Sequence, residues 1–118
     1  MPGFEFNGRP YHNPVELALD VIGGKWKMPI LWRLAQRTWR YGELRRELPA
    51  ISHKMLTQQL RELERDGLIT RTVHPVVPPH VDYDITRLGR TALPSIESLR
   101  TWGASYRRAR GGRATTDR

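Results

Sequence analysis

Between residues 51 and 68, apolar residues recur with a helical period of about 3.6. Leu56, Leu60 and Leu63 fall on one stripe. Ser52 is suited to the N-cap because its hydroxyl can accept from a first-turn amide, and Gly67 suits a left-handed helix end. The pattern therefore predicts a helix with a core-facing side. Its opposite side is basic and amide-rich, with Lys54, Gln58, Arg61 and Arg65.

An earlier helix is predicted to start at Asn13-Pro14-Val15-Glu16, which combines an N-cap with a proline at the first helical position. It should run to Ile22 and end at Gly23-Gly24. Its apolar residues cover most of the circumference, which favours burial between other elements.

Two more helices are predicted before residue 51. One starts at residues 25–28, because Pro29 is tolerated only near a helix start or at a bend. The other spans 41–48, with Tyr41, Leu44 and Leu48 on one stripe before Pro49. The short linker from this helix to the next predicts a helix-turn-helix.

After Gly67 the period changes from helical to alternating, which predicts a hairpin of two strands. The proline-rich segment 74–80 between the strands cannot complete a ladder and should project as a stiff loop, the wing. Asp82 and Asp84 alternate on the second strand and are predicted to face solvent, not to form a catalytic pair. The fold class is mainly α with a small β-hairpin, a winged helix-turn-helix.

Thr86 is predicted to cap a final helical region, kinked or restarted at Pro94. Its apolar stripe is longer than a small core needs, so the terminal helices are expected to dimerise. The predicted dimer interface comprises Leu88, Ala92, Ile96, Leu99, Trp102 and Tyr106.

At 118 residues, the chain suits one domain, placed at 13–106. Residues 1–12 are expected to form an extended arm, with aromatic residues that can pack on a neighbour. Residues 107–118 contain five arginines and two glycines and are expected to form a basic, disordered tail.

The net charge of +8 favours a polyanionic partner, nucleic acid or an anionic membrane surface. No run reaches the ~20 apolar residues that cross a bilayer, and the first residues lack the pattern of a signal peptide. A cytoplasmic protein without membrane association is expected. The absence of cysteine excludes disulfides, thiolate metal ligands and thiol switches within the chain.

The chain contains several collinear motifs, at residues 14–15, 22–26, 41–44, 52–57, 63–68 and 78–83. Together these motifs resemble the HxlR-type transcriptional regulators, a group distantly like the MarR regulators. The resemblance implies a winged helix-turn-helix homodimer on roughly palindromic operator DNA. Many members have a cysteine immediately before the Pro-Val pair, where this chain has Asn13, so their thiol-based sensing does not transfer.

Residues in the first turns of a recognition helix usually reach base edges in the major groove. The predicted base contacts are His53, Lys54, Thr57 and Gln58. Gln58 is the strongest of these, because an amide can pair with adenine through two hydrogen bonds. A solvated amphipathic helix is the alternative explanation of this face.

Other basic residues are predicted to contact the DNA backbone. These are Arg45, Arg46, Arg61, Arg71 and His80, with Lys25 and Lys27 as weaker candidates. Arg61 and Arg65 can instead pair with Glu62, Glu64 or solvent. The wing loop is apolar at Val76 and Val77 and has no arginine at its tip.

No metal or cofactor is expected, because His12, His53, His74 and His80 lack metal-ligand spacing in the sequence. The four tryptophans favour core and dimer packing over a ligand cage. A cavity for an unidentified small-molecule effector stays an open alternative. An enzyme is not expected, since phosphate loops, nucleophile elbows and paired carboxylates are missing. The alternative to a DNA-binding regulator is a winged-helix protein interaction module.

Overall fold

A short β-hairpin opens the computed structural model, which describes residues 3–113. Strands β1 (Phe4–Phe6) and β2 (Arg9–Tyr11) pair antiparallel. The two residues between them, Asn7 and Gly8, have φ angles of 51° and 75°, the positive values that a tight hairpin turn needs. The prediction of an extended arm is therefore wrong. The Asn-Gly pair is a sequence signal for such a turn, and that prediction did not use it.

Four helices follow, in the places the periodicity predicted. They are α1 (Pro14–Ile22), α2 (Lys27–Leu34), α3 (Tyr41–Glu47) and α4 (His53–Arg65). The Asn13 side chain accepts from the Val15 amide at 2.9 Å, and Ser52 Oγ accepts from the Met55 amide at 3.0 Å. Gly67 has a φ of 81°, so both the predicted start and the predicted end of the α4 region are confirmed.

The sheet has three strands, one more than the pattern predicted. β3 (Trp39–Arg40), β4 (Ile69–His74) and β5 (His80–Ile85) lie in the order β3-β5-β4, all antiparallel. The predicted hairpin is confirmed as β4-β5, with Ile69 opposite Ile85 and His74 opposite His80. β3 has only two residues, too few for an alternating pattern to be visible.

The core lies between the helix-turn-helix and the sheet. Leu56, Leu60 and Leu63 of α4 are fully or almost fully buried, which confirms the apolar stripe of that helix. They share one cluster with residues of α2, α3 and the sheet. The outward direction of the polar face of α4 follows from this burial, because the two faces are opposed on one helix. The other core residues include Ile30, Leu31, Leu34, Leu44, Ile69 and Ile96.

The C-terminal region forms two helices, α5 (Arg87–Arg90) and α6 (Leu93–Ala109). Thr86 caps α5 by accepting from the Gly89 amide at 3.0 Å, and Pro94 lies in the first turn of α6, so the predicted restart is confirmed. The helix continues to Ala109, which corrects the start of the predicted tail at 107. Residues 114–118 of that tail lie outside the described residues.

Helix α1 is the main departure in packing. None of its residues is buried, and Val15 and Leu19 are 65% and 62% exposed. The expectation that α1 lies between other elements is wrong for a single chain. Its apolar circumference leaves a surface that one chain does not cover.

Removing the cap of α4 provides a test of local stability. Ser52→Ala should lower the free energy of unfolding by about 1 kcal/mol, because the Met55 amide loses its acceptor. Urea unfolding followed by circular dichroism measures the change. Ser95→Ala on the exposed side of α6 is the control and should stay within about 0.5 kcal/mol of the parent. Equal stability of the two variants would contradict the capping role.

Candidate nucleic-acid interface

The outward face of α4 forms a shallow groove, here called the recognition groove. Five exposed residues and two partly buried ones, Thr57 and Glu62, line it, and all four predicted base contacts are among them. The structure thus brings together the residues that helical spacing had placed on one face. The lining residues are His53, Lys54, Thr57, Gln58, Arg61, Glu62 and Arg65.

Tyr41 links α3 to the first turns of α4. Its hydroxyl contacts His53 Nδ1 and lies 3.5 Å from Thr57 Oγ1. The two aromatic rings meet edge to face, with centroids 5.4 Å apart. His53 and Thr57 are therefore oriented by the preceding helix. The helical spacing placed Tyr41 only on an apolar stripe and contained no signal for this role of its hydroxyl.

Gln58 is hydrogen-bonded to Glu62, and Glu62 in turn forms an ion pair with a buried lysine. Its Nε2 donates to Glu62 Oε2 at 3.1 Å, and Lys27 Nζ lies 2.7 Å from Glu62 Oε1. Lys27 is only 5% exposed. The hydrogen bond from Lys27, followed by that from Gln58, lowers the pKa of Glu62, so this carboxylate is charged at neutral pH.

This arrangement corrects the assignment of Lys27 as a weak candidate for DNA contact. A buried ammonium committed to Glu62 cannot reach a phosphate. Its role is to hold Glu62, and through it the Gln58 amide, on the floor of the recognition groove. Linear sequence offered no sign of this pair, because its members are 35 positions apart, the difference between 62 and 27.

The predicted backbone contacts divide into free and paired cations. Arg45, Arg46 and Arg61 are exposed and form no ion pair within residues 3–113. Arg65 is paired with neither suggested glutamate; its guanidinium donates to both oxygens of Asp66, at 3.0 and 3.2 Å. This carboxylate raises the pKa of Arg65. Arg71 lies 3.6 Å from Glu64, so any phosphate must compete for it.

The wing extends from the sheet beside α4. Val77 at its tip is 98% exposed, and the loop has no cation between residues 75 and 79. At its base, His74 and His80 are partly buried and both face Asp82, at 2.9 and 3.9 Å. The expectation that Asp82 and Asp84 face solvent is wrong: both are partly buried, and Asp84 accepts a hydrogen bond from Thr38 Oγ1.

The six predicted dimer residues separate into one core residue, one partly buried residue and four exposed residues. Ile96 is only 4% exposed within its own chain, so it belongs to the core, which corrects its assignment to the interface. Trp102 and Tyr106 stack at 5.3 Å between centroids on the outer surface of α6. Ala92 is partly buried. The exposed members of the set are Leu88, Leu99, Trp102 and Tyr106.

These elements define a class of protein. A capped, outward-facing basic helix supported by a second helix and followed by a three-stranded sheet with a projecting hairpin is a winged helix-turn-helix, a DNA-binding fold. The model of the family described as HxlR-like helix-turn-helix matches residues 21–110. The chain belongs to this family of DNA-binding transcriptional regulators.

Relatives in sequence and structure agree with this class. The chain is 50% identical over 94 residues to the uncharacterized HTH-type transcriptional regulator YdeP of Bacillus subtilis (strain 168), covering 80% of this chain and 73% of YdeP. It superimposes on the redox regulator HypR in its reduced form with a TM-score of 0.76 and 47% identity, covering 80% of this chain and 94% of the other.

A second solved structure is the reduced form of the transcriptional regulator YodB from B. subtilis. Its TM-score is 0.68 at 30% identity, covering 75% of this chain and 87% of YodB. These relatives and the fold identify a transcriptional regulator, not an enzyme. Within the residues described, no helix has both the length and the apolar character that crossing a bilayer requires.

Proposed function

We propose that this regulator binds a roughly palindromic operator as a homodimer and contacts bases through α4. The observation that carries the proposal is the recognition groove, where Lys54 and Gln58 are exposed on a helix whose other side is buried in the core. Gln58 offers an amide for adenine, and Lys54 offers a donor for guanine or phosphate. Arg45 and Arg46 on α3 and Arg61 on α4 are exposed, form no ion pair within residues 3–113 and are available to bind phosphates.

The uncovered apolar surfaces of α1 and α6 support a dimer. Val15 and Leu19 on α1, and Leu99, Trp102 and Tyr106 on α6, are all more than half exposed. Apolar side chains grouped in this way on a small domain favour protein association. A two-fold dimer would present two α4 helices to successive major grooves about 34 Å apart.

Loss of a base contact and loss of a phosphate contact should have different effects on the affinities for operator and random DNA. Gln58→Ala should weaken binding to the selected operator by about 10-fold, with little change on random DNA, because a two-bond base contact contributes ~1–3 kcal/mol of discrimination. Arg45→Ala should weaken both DNAs alike and lower the slope of log K against log[salt] by about 1. Fluorescence anisotropy at several salt concentrations measures both quantities.

Operator DNA for this experiment comes from binding-site selection with the purified protein. Gln59→Ala, a neighbouring amide on the side of α4 away from the groove, is the matched control and should leave both affinities unchanged. Equal losses on operator and random DNA for Gln58→Ala would overturn its assignment to base contact, and a loss confined to the operator for Arg45→Ala would overturn its assignment to phosphate contact. An absence of salt-dependent binding to any duplex would instead favour a protein interaction module.

A further inference from the structure

His74, His80 and Asp82 form a cluster at the base of the wing, outside the recognition groove. His74 and His80 are direct cross-strand partners, the last pair of the β4-β5 ladder before the loop. Asp82 lies two residues after His80 on the same strand, so all three side chains share one face of the hairpin. The separation in sequence concealed this, because only strand pairing brings residue 74 beside residue 80.

The donor atoms of the cluster are close together. One ligand atom from each residue lies within 4.8 Å of the other two. The imidazole rings stack with centroids 4.6 Å apart, and His74 Nε2 is 2.9 Å from Asp82 Oδ2. His80 Nε2 is 3.9 Å from Asp82 Oδ1, so the two carboxylate oxygens face different imidazoles.

We propose that His74, His80 and Asp82 bind one divalent transition-metal ion of the zinc class. Two imidazole nitrogens and one carboxylate oxygen are a ligand set that suits Zn²⁺ and its neighbours, with the fourth position left to water. Ligands of a tetrahedral zinc ion lie about 3.3 Å apart, so the widest pair must approach by at most about 1.5 Å. All three side chains are partly exposed, and their rotation would supply this movement.

The surroundings of the cluster favour binding. The ladder holds the two strands in register, so the ligands do not have to be gathered from a disordered loop. Asp82 and His80 are about one-quarter exposed, which leaves access for an ion while limiting competition from water. Arg40 is opposite Asp82 on β3 but forms no ion pair with it within residues 3–113, so the Arg40 guanidinium does not occupy the carboxylate in place of a metal ion.

An ion at this position would join β4 to β5 at the point where the wing loop begins. The segment 75–79, which contains three prolines, would then be anchored at both ends by the same ion. The site involves none of the α4 residues assigned to base contact. The metal proposal and the operator proposal can therefore fail separately.

The test is titration of the untagged, chelator-treated protein with Zn²⁺ by isothermal calorimetry. One ion per chain is expected. His74→Ala and Asp82→Asn should each weaken binding by more than about 100-fold, because even the loss of an outer-shell partner of a metal ligand weakens binding ~10–100-fold. His12→Ala is the matched control. This exposed histidine pairs with Glu16, far from the cluster in the sequence, so its removal should leave zinc affinity unchanged.

Cobalt substitution reports the ligand geometry directly. Co²⁺ bound at the cluster should produce the visible absorption of a four-coordinate site, and Asp82→Asn should abolish it. Circular dichroism verifies that each variant is folded. Absence of zinc binding by the folded parent, or binding that His74→Ala and Asp82→Asn retain at the parent affinity, would overturn the proposal.

Discussion

Replacing Glu62 by alanine should lower the free energy of unfolding by about 3 kcal/mol. The variant leaves the Lys27 ammonium without the carboxylate that lies 2.7 Å away, in a position where Lys27 is only 5% exposed. Breaking a buried pair is strongly destabilising because the remaining charge is not solvated. The expected loss is at the lower end of the known range, since the Glu62 side chain keeps 27% exposure. Urea denaturation measures it.

Two variants separate this effect from simple truncation. Glu64 is a second carboxylate on the same helix, and its ion-pair partner, Arg71, is exposed. Glu64→Ala should therefore change the free energy of unfolding by less than about 0.5 kcal/mol. Adding Lys27→Met to Glu62→Ala removes the unpaired charge and should restore more than half of the loss. A double variant as unstable as Glu62→Ala alone would show that the charge is not the cause.

The pair also predicts an acid dependence. The folded-state pKa of Glu62 lies below its ordinary value of 4.5, mainly because of the hydrogen bond from Lys27. The stabilisation is therefore complete above pH 4.5 and is lost as the pH falls through the folded-state pKa. The stability difference between the parent and Glu62→Ala should shrink over this range. A difference that stays constant as the pH falls would contradict this account.

Removing the exposed apolar side chains of α6 should weaken operator binding by about 100-fold or more. The double variant Leu99→Ala, Trp102→Ala removes two side chains that are 52% and 64% exposed in the single chain, so the protomer should stay folded. It should instead lose its partner. Binding two linked half-sites strengthens affinity by ~10²–10⁴ over one, and a monomer forgoes this gain. Sedimentation equilibrium and operator titration measure the two effects.

Glu97→Ala is the control on the same helix, since this exposed residue pairs with Arg100 on a different side of α6. It should leave both association and operator affinity unchanged. A double variant that remains dimeric would show that the interface lies elsewhere. A monomeric variant with full operator affinity would refute the two-fold arrangement.

Sequence periodicity was sufficient for the elements that have strong local signals. Helix α4 could be placed from its leucine spacing, from the cap at Ser52 and from Gly67, because each acts within one or two turns of the chain. The same holds for the β4-β5 hairpin, where alternation and prolines mark strands and loop. The outward direction of the Gln58 side of α4 followed from the leucines, because an amphipathic helix turns its apolar stripe towards the core and its polar face away from it.

Two features were missed, the N-terminal hairpin and strand β3. The first has only a two-residue signal in the sequence, and the second has none. Asn7-Gly8 is a turn pair, but the flanking strands have three residues each and produce no periodicity. β3 has two residues and becomes a strand only because β5 supplies its partner. Pairing with a distant segment is an energetic term that a local pattern does not contain.

Local chemistry therefore determined the recognition helix, its polar face and the wing hairpin, because hydrogen bonds and apolar spacing within a single helix or a single hairpin define them. Tertiary packing decided which charges are free: it buried Lys27 against Glu62, paired Arg71 with Glu64 and placed Ile96 in the core. It also gathered His74, His80 and Asp82 at one point. Such contacts depend on distances between residues far apart in the chain, which become defined only when the elements pack.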